Sequence, residues 1–389
     1  MATFQLARTV ADLEPYVEQW DRLAVSAERP LMRPAWLLAW WHTHCQFDGG
    51  SELRVALGFD DRGLLGLLPF YVRDPEARLP VYALLGPGPF WPKAPLLRED
   101  AAPETLGQLT QVLAQASPVP AMVDLEAIDT SFDWPDRIAT SWPSRGASVY
   151  TKVAADPCLC VRLLDGGFDE WLHATRGRPQ HRRRLRRLVE RGVVMRRSAN
   201  VAEFRRDLAG LTRLHRLRWA GMLQWVSPEV EIAIDRAGSE LIASGGVRLW
   251  VLEGADGIVG ATLFACAGQE SCCLLTAYDR AWSVYGPGIA TMIAGIEEAF
   301  GRGERLVDLG YGSFEYKRVL ANYARPVAWL ELFPRGRGHA LVRARSVPRH
   351  ARERVIRLRI RLRLGQRLRT ARAGALTHAR VLSNRDRVS

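Results

Sequence analysis

The 389-residue sequence has no apolar run of about 18 residues, so no membrane-spanning helix is expected. Its N-terminus, MATFQLARTVADLE, has an early acidic pair and no apolar h-region, which argues against a secretory signal. The six cysteines, Cys45, Cys158, Cys160, Cys266, Cys272 and Cys273, show no C-x-x-C spacing. They fall mostly in apolar, strand-like runs and read as reduced core residues of a cytosolic chain, so neither a disulfide framework nor a metal site is expected. Two phosphate motifs are also missing. No Lys-Ser/Thr follows a glycine loop, which excludes a Walker A site, and no third glycine stands at dinucleotide spacing. Neither a nucleophile elbow nor a Cys/His pair is present.

What is present is a hydrophobic content of 48%, ample for sizeable cores, in a chain long enough for two domains of roughly 150 residues each. The net charge of +12 is uneven. Residues 341–389 carry fifteen arginines against Glu353 and Asp386, one positive charge more than the whole chain's net, so the remaining residues are close to neutral. The basic character therefore belongs to a tail and gives no reason to expect a nucleic-acid-binding body. Within the tail, Arg357 to Leu364 alternates Arg with an apolar residue, which gives one basic face only if extended. It reads either as a disordered basic tail or as a peripheral contact with anionic lipid, each basic residue contributing about 1 kcal/mol near such a surface. It lacks aromatic residues to stack bases, so nucleic acid is not an expected partner. Nothing in the pattern assigns an oligomeric state.

The most informative stretch is Ser271–Lys317. An apolar run, Cys272 to Tyr278, leads through a loop ending in Tyr285-Gly286-Pro287-Gly288 into a helical pattern from Ile289. A second apolar run, Leu306 to Leu309, ends in a glycine-rich turn and the cluster Glu315-Tyr316-Lys317. Gly286 and Gly288 allow close approach of backbone N–H groups, and a helix N-terminus behind them favours a phosphate. The alternative is an ordinary strand-to-helix turn.

The rest of the chain repeats this order. A strand at Phe4–Val10 precedes helices at Leu13–Ala24 and Ala35–His44, a hairpin across Asp60–Gly63, a strand at Val81–Gly86, a helix at Pro103–Gln115 and a strand at Ala121–Ala127. Strands at Ser148–Val153 and Leu159–Leu164 bring the chain to a second unit starting near Cys158. There an arginine-rich run, Arg176–Arg197, carries ten arginines and one acid. It reads as a solvated helix face or as an anion site. The helix Phe204–Trp219, the hairpin across Gly254–Gly257 and a last strand, Val327–Phe333, complete the body.

The glycine loop, the Asp308–Gly312 turn and the Tyr316-Lys317 pair resemble the GNAT acyltransferase superfamily. Within it they look most like the double-GNAT acetyltransferases of the CelD/BcsL type, associated with cellulose and exopolysaccharide biosynthesis and distantly related to Fem-type transferases. Pro30, Pro34, Trp36 and Trp40, then Gly66 and Pro69, then Trp171 with Arg182, Arg183, Arg186 and Arg187, and His215, Arg218 and Trp219 resemble further family signatures.

The resemblance implies an α/β fold of two tandem GNAT-like domains with mixed sheets flanked by helices. They would span residues 1–157, without cofactor because Phe90 and Trp91 follow the Gly86–Pro89 loop, and residues 158–338, catalytic, ahead of an Arg-rich tail at 339–389. It implies transfer of an acyl group, acetyl in the simplest case, from acyl-CoA to an amine or hydroxyl of a sugar or cell-envelope precursor in the cytoplasm. The pantetheine arm would pair with a splayed strand edge. Tyr278, Tyr285, Gly286, Gly288, Ile289 and Ala290 would contact the cofactor, and Arg218, Trp219, Asp279 and Glu315 the acceptor. Asp308 would serve as base, Tyr316 as proton donor to the leaving thiolate, and Lys317 on the oxyanion or an acidic acceptor. The competing readings are a Fem-type aminoacyl-tRNA-dependent transferase and a non-catalytic scaffold anchored by its tail.

Overall fold

Two mixed sheets are built from one order of elements used twice, and the first sheet takes a strand from the second's part of the sequence. The computed structural model describes residues 2–86, 93–143, 146–154, 157–163, 166–175, 178–218, 226–312, 314–335, 339–340 and 342–344. The first series runs β1 (Thr3–Ala7), α1 (Val17–Ser26), α2 (Pro34–Asp48), β2 (Glu52–Asp60), β3 (Gly63–Val72), β4 (Val81–Leu84), β5 (Leu96–Leu97), α3 (Thr105–Ala114), β6 (Met122–Asp129), α4 (Trp134–Ser141), β7 (Ala147–Ala154) and β8 (Cys158–Arg162). Helices α5 (Gly167–Ala174) and α6 (Arg178–Val189) connect it to the second series. That series is β9 (Val194–Arg197), α7 (Val201–Arg218), α8 (Pro228–Leu241), β10 (Val247–Gly254), β11 (Gly257–Ala267), β12 (Glu270–Tyr278), α9 (Pro287–Gly301), β13 (Leu306–Asp308), α10 (Glu315–Leu320), β14 (Tyr323–Arg325) and β15 (Val327–Pro334).

The first sheet is ordered β1-β2-β3-β4-β6-β15-β7, with β5 beside β3, and the second β14-β8-β13-β12-β11-β10-β9. Thus β15, the expected last strand of the second domain, lies in the first sheet between β6 and β7, with Leu330 opposite Leu125 and Thr151. β8, which closes the first series but lies past the boundary expected near Cys158, is in the second sheet between β13 and β14. Both strands are mostly buried, so each must bury its faces and satisfy two rows of backbone groups. An interior slot of a sheet does both. Residues 1–336 form one unit and 337–389 another.

Helices α1, α2, α7 and α8 pack with the inner faces of both sheets into one core, where Trp20, Trp36 and Leu37 share a cluster with Phe204, Leu211 and Ile234. Burying each such side chain contributes about 1.5–3 kcal/mol. The outer face of the first sheet is covered by α3 and α4, that of the second by α5 and α9. A buried ion cluster ties the sheets together. Arg325 of β14 pairs with Glu270 of β12 at 2.7 Å, with Asp308 of β13 at 3.1 Å and with Asp129 of β6 at 3.5 Å.

Some expectations change. The arginine-rich segment is not one helix, because α6 stops at Val189 and Gly192, at φ 72°, reverses the chain into β9, which pairs with β10. Helices α4 and α8 and strands β5, β9 and β14 had not been expected. The six cysteines are free thiols, five of them buried. Among the described residues no helix is long and apolar enough to cross a membrane, and no group of three or more His, Cys, Asp or Glu could hold a metal ion. The alternating run 357–364 lies outside the described residues.

Candidate active site

Strand β12 pairs with β11 along its whole length, with an extra residue, Leu274, bulged between Cys273 and Leu275. On its other side it pairs with β13, in parallel, at only three positions: Glu270 with Leu306, Ser271 with Val307 and Cys272 with Asp308. Beyond Asp308 the chain turns toward β8, as Leu309 donates its N–H to the carbonyl of Leu159. Gly310 then turns at φ 79° so close over β12 that a Cβ there would lie 2.8 Å from the Cys273 carbonyl oxygen. Among the described residues no strand pairs with that side of Cys273–Tyr278, leaving a V-shaped opening with main-chain groups along one wall.

The apex is held by Lys317. Its ammonium donates to the carbonyls of Gly310 (3.0 Å) and Tyr311 (2.8 Å) and is almost fully buried, and burial lowers its pKa. Lys317 is therefore engaged in fixing the turn, and its ammonium is not free for the oxyanion or acidic acceptor expected of it. Tyr316, beside it on α10, is half-buried and stacks on Phe314 with ring centroids 6.1 Å apart. Burial, then the nearby Cys273 thiol, raises its pKa, while Arg218 opposes the shift. Its phenol therefore stays protonated at neutral pH, as a proton donor must. Arg218, at the end of α7, lies over the ring of Tyr278, 4.5 Å from its centroid, and its carbonyl accepts from Arg280.

The upper end of the opening is the start of α9. Asp279 caps the preceding 3₁₀ turn, Arg280–Tyr285, by accepting the N–H of Ala281. Gly286, at φ 61°, is the N-cap and Pro287 the first helical residue. Gly288 lies flat on β12, where a Cβ would be 3.0 Å from the Tyr278 ring and 3.4 Å from the Thr276 hydroxyl. Three hydroxyls fix this contact: Thr262 bonds both Thr276 (3.0 Å) and Thr291 (2.7 Å). Arg184 of α6 flanks Gly286, its guanidinium 3.4 Å from where a Cβ would stand, and Arg191 lies over the Tyr285 ring at 4.6 Å. A helix N-terminus with a guanidinium beside it suits a phosphate group.

The structure thus brings Tyr278, Tyr316, Lys317, Arg218, Gly286 and Gly288 around one opening. Ile289 is half-buried in the first turn of α9, whereas Ala290 points into a small apolar cluster with Leu188 and Val259. Glu315 is exposed at the start of α10. Trp219 lies outside the described residues. The role expected of Asp308 is corrected. It is 0% exposed, one oxygen accepts the Gly310 N–H at 2.7 Å and the other the Arg325 guanidinium at 3.1 Å. A carboxylate so held anchors the apex and is not placed to take a proton from an incoming acceptor. His215 is buried, with its pKa lowered to about 4 by burial and the neighbouring arginines.

Sequence reasoning missed Arg184, Arg191 and the threonine trio. Arg182, Arg183, Arg186 and Arg187, singled out instead, are exposed. The signal lay in the same run of ten arginines, but which one reaches Gly286 depends on the rotation of α6 against α9.

Residues 175–318 match the family described as Acetyltransferase (GNAT) domain, a span from the end of α5 to Lys317 and Arg318. No curated protein matches the sequence. Among solved structures the chain is similar to FemX, at 11% identity over 75% of this chain and 90% of that one, with a TM-score of 0.54. It is also similar to the C-terminal domain (DUF2156) of a putative lysylphosphatidylglycerol synthetase from Agrobacterium fabrum, at 11% identity over 85% of this chain and 94% of that one, with a TM-score of 0.51. At such identities these structures share the fold.

Proposed function

We propose, from the match of residues 175–318 to a GNAT acetyltransferase domain, an acyl-CoA-dependent N- or O-acyltransferase that moves an acetyl group to a sugar or cell-envelope precursor of the exopolysaccharide kind. The observation that carries the reading is the three-position pairing of β12 with β13 and its divergence beside α9. Acyl-CoA supplies an activated thioester. The free main-chain edge of Cys273–Tyr278 pairs with the amides of its pantetheine arm, and the start of α9 with Arg184 holds the pyrophosphate. As the acceptor's lone pair forms the new bond to the acyl carbon and the carbon–sulfur bond breaks, Tyr316 gives its proton to the leaving sulfur, and the proton shed by the acceptor's nitrogen or oxygen returns through water to the phenolate. Arg218 and Tyr278 line the acceptor side, and Lys317 keeps the Gly310 turn in place. The acceptor class and the CelD/BcsL type rest on the motif resemblance. The setting is cytoplasmic, with the arginine tail touching the anionic inner face of the membrane.

A second reading, aminoacyl transfer from tRNA as in Fem-type enzymes, is favoured by Arg184 and Arg191 at the same corner, since a polyanionic donor uses the same contacts. Calorimetric titration of acetyl-CoA into the wild type and Gly288→Trp separates the two. Micromolar binding lost in the variant supports the acyl-CoA reading. No binding by the wild type, with an aminoacyl transfer that ribonuclease abolishes, replaces it by the second.

A further inference from the structure

The first sheet repeats the strand divergence, and a cavity lies beside it. Strands β4 and β6 pair in parallel at Val81–Met122, Tyr82–Val123 and Ala83–Asp124. Beside them lies a cavity of 480 Å³, within the range of small-ligand sites. It is not a second acyl-CoA site. Lys93 donates to the carbonyls of Leu84 (3.4 Å) and Gly86 (3.0 Å), the end of β4 where a pantetheine would pair. Among the described residues no helix starts beside Gly86, and the next one, α3, begins at Thr105.

The charges of the cavity select a cation. Asp48, Asp124 and Glu126 line it against two cations, Arg73 and Lys93. Both cations are engaged, Arg73 with Asp124 at 3.1 Å and Glu126 at 3.8 Å, Lys93 with the two carbonyls. His44 adds no charge at neutral pH, because burial lowers its pKa further than Asp48 raises it. One wall is aromatic: His44 stacks on Trp40 with centroids 4.5 Å apart, and Tyr71 meets both rings edge-on at 5.4 and 5.5 Å. Carboxylates in excess, hydrogen-bonding groups of both kinds and an apolar ring surface together suit a compact, hydroxylated amine.

We propose that this cavity binds a protonated amino sugar, its ammonium on Glu126 and Asp48, its ring against Trp40 and Tyr71, and its hydroxyls on Arg73 and the remaining carboxylate oxygens. The site lies outside the matched GNAT span and does not depend on the acyl-transfer reading. Glucosamine, with glucose as the uncharged counterpart, is titrated calorimetrically into the full chain, and acetyl-CoA is titrated separately. Glucosamine is expected to bind about tenfold or more tighter than glucose, and Glu126→Gln and Asp48→Asn each to weaken it about tenfold. Tyr316→Phe is expected to leave it unchanged. The two carboxylates are 22% and 49% exposed, so the amide variants are expected to fold, which an unchanged unfolding midpoint verifies. Glucose binding as tightly as glucosamine, no glucosamine binding by the folded wild type, or binding that survives both substitutions overturns the assignment. Acetyl-CoA that fails to bind while glucosamine binds as expected counts against the acyl-CoA reading and upholds this one.

Discussion

Each half of the molecule contains one pair of parallel strands that part after three pairs, β4 with β6 and β12 with β13. The two halves differ in how the chain leaves the first strand of the pair. After β12 the chain makes one 3₁₀ turn and enters a fifteen-residue helix through Gly286 and Gly288, so N–H groups and a dipole end reach the opening. After β4 it returns a lysine instead, and that lysine takes the strand's terminal carbonyls. The same backbone device is left without a further strand beyond its third pair in one half, among the described residues, and is closed by a lysine of the chain itself in the other. Only three lysines occur in the sequence, Lys93, Lys152 and Lys317, and two of them sit at these points. A guanidinium is planar and always charged. An ammonium on a slender stem can be buried against two carbonyls with its pKa lowered, which explains lysine here in an arginine-rich chain.

The comparison can be broken at three places. The largest effect is expected at Tyr316, the proton donor proposed for the second half. Tyr316→Phe should lower kcat about a hundredfold or more with KM for acyl-CoA unchanged, whereas Tyr71→Phe in the first half should leave kcat alone. An equal loss in both would end the distinction.

The next concerns Lys93, whose pKa burial lowers to about 8 from an ordinary 10.5. Between those values the folded chain binds fewer protons than the unfolded one, so this group makes stability rise as pH rises from 8 to 10.5. The gain is about 3 kcal/mol at most. Urea unfolding across that window should show the wild type gaining on Lys93→Met. The buried thiols of Cys266 and Cys273, pushed up to about 12, act oppositely but alike in both proteins, so the difference isolates the lysine. A flat difference would mean that Lys93 is not buried as a cation.

The smallest effect is at Arg184. Arg184→Ala should weaken acetyl-CoA binding about three- to tenfold and Arg182→Ala should not, as titration of each would show.

Much of this architecture is legible in local chemistry. The turns at Asp60–Gly63 and Gly254–Gly257 join the hairpins they suggest. Ser227 and Pro228 followed by Glu229 and Glu231 form a plain helix start, with Ser227 accepting the Val230 N–H, so α8 could have been found. Gly192 and the valines beside it could have ended α6 in time for β9. The glycine loop at Gly286–Gly288 opens a helix as its residues suggested, and Tyr316 and Lys317 lie in the short helix after the glycine-rich turn. Asp308 shows the limit. Its place at a strand end was readable, but its burial against Arg325 was not, because its partner stands on another strand.

By itself the sequence determined the elements that depend on neighbours a few residues away: amphipathic helices, hairpins, the glycine corner and the separation of a basic tail from a neutral body. Tertiary structure alone decided which strand fills which slot. β8 and β15 are short apolar segments of similar pattern, and the slot each takes gives it two neighbours and a buried face. It also decided which buried charges meet, because Arg325, Glu270, Asp308 and Asp129 lie on four strands of two sheets, and their energy depends on distance in space, not on separation along the chain.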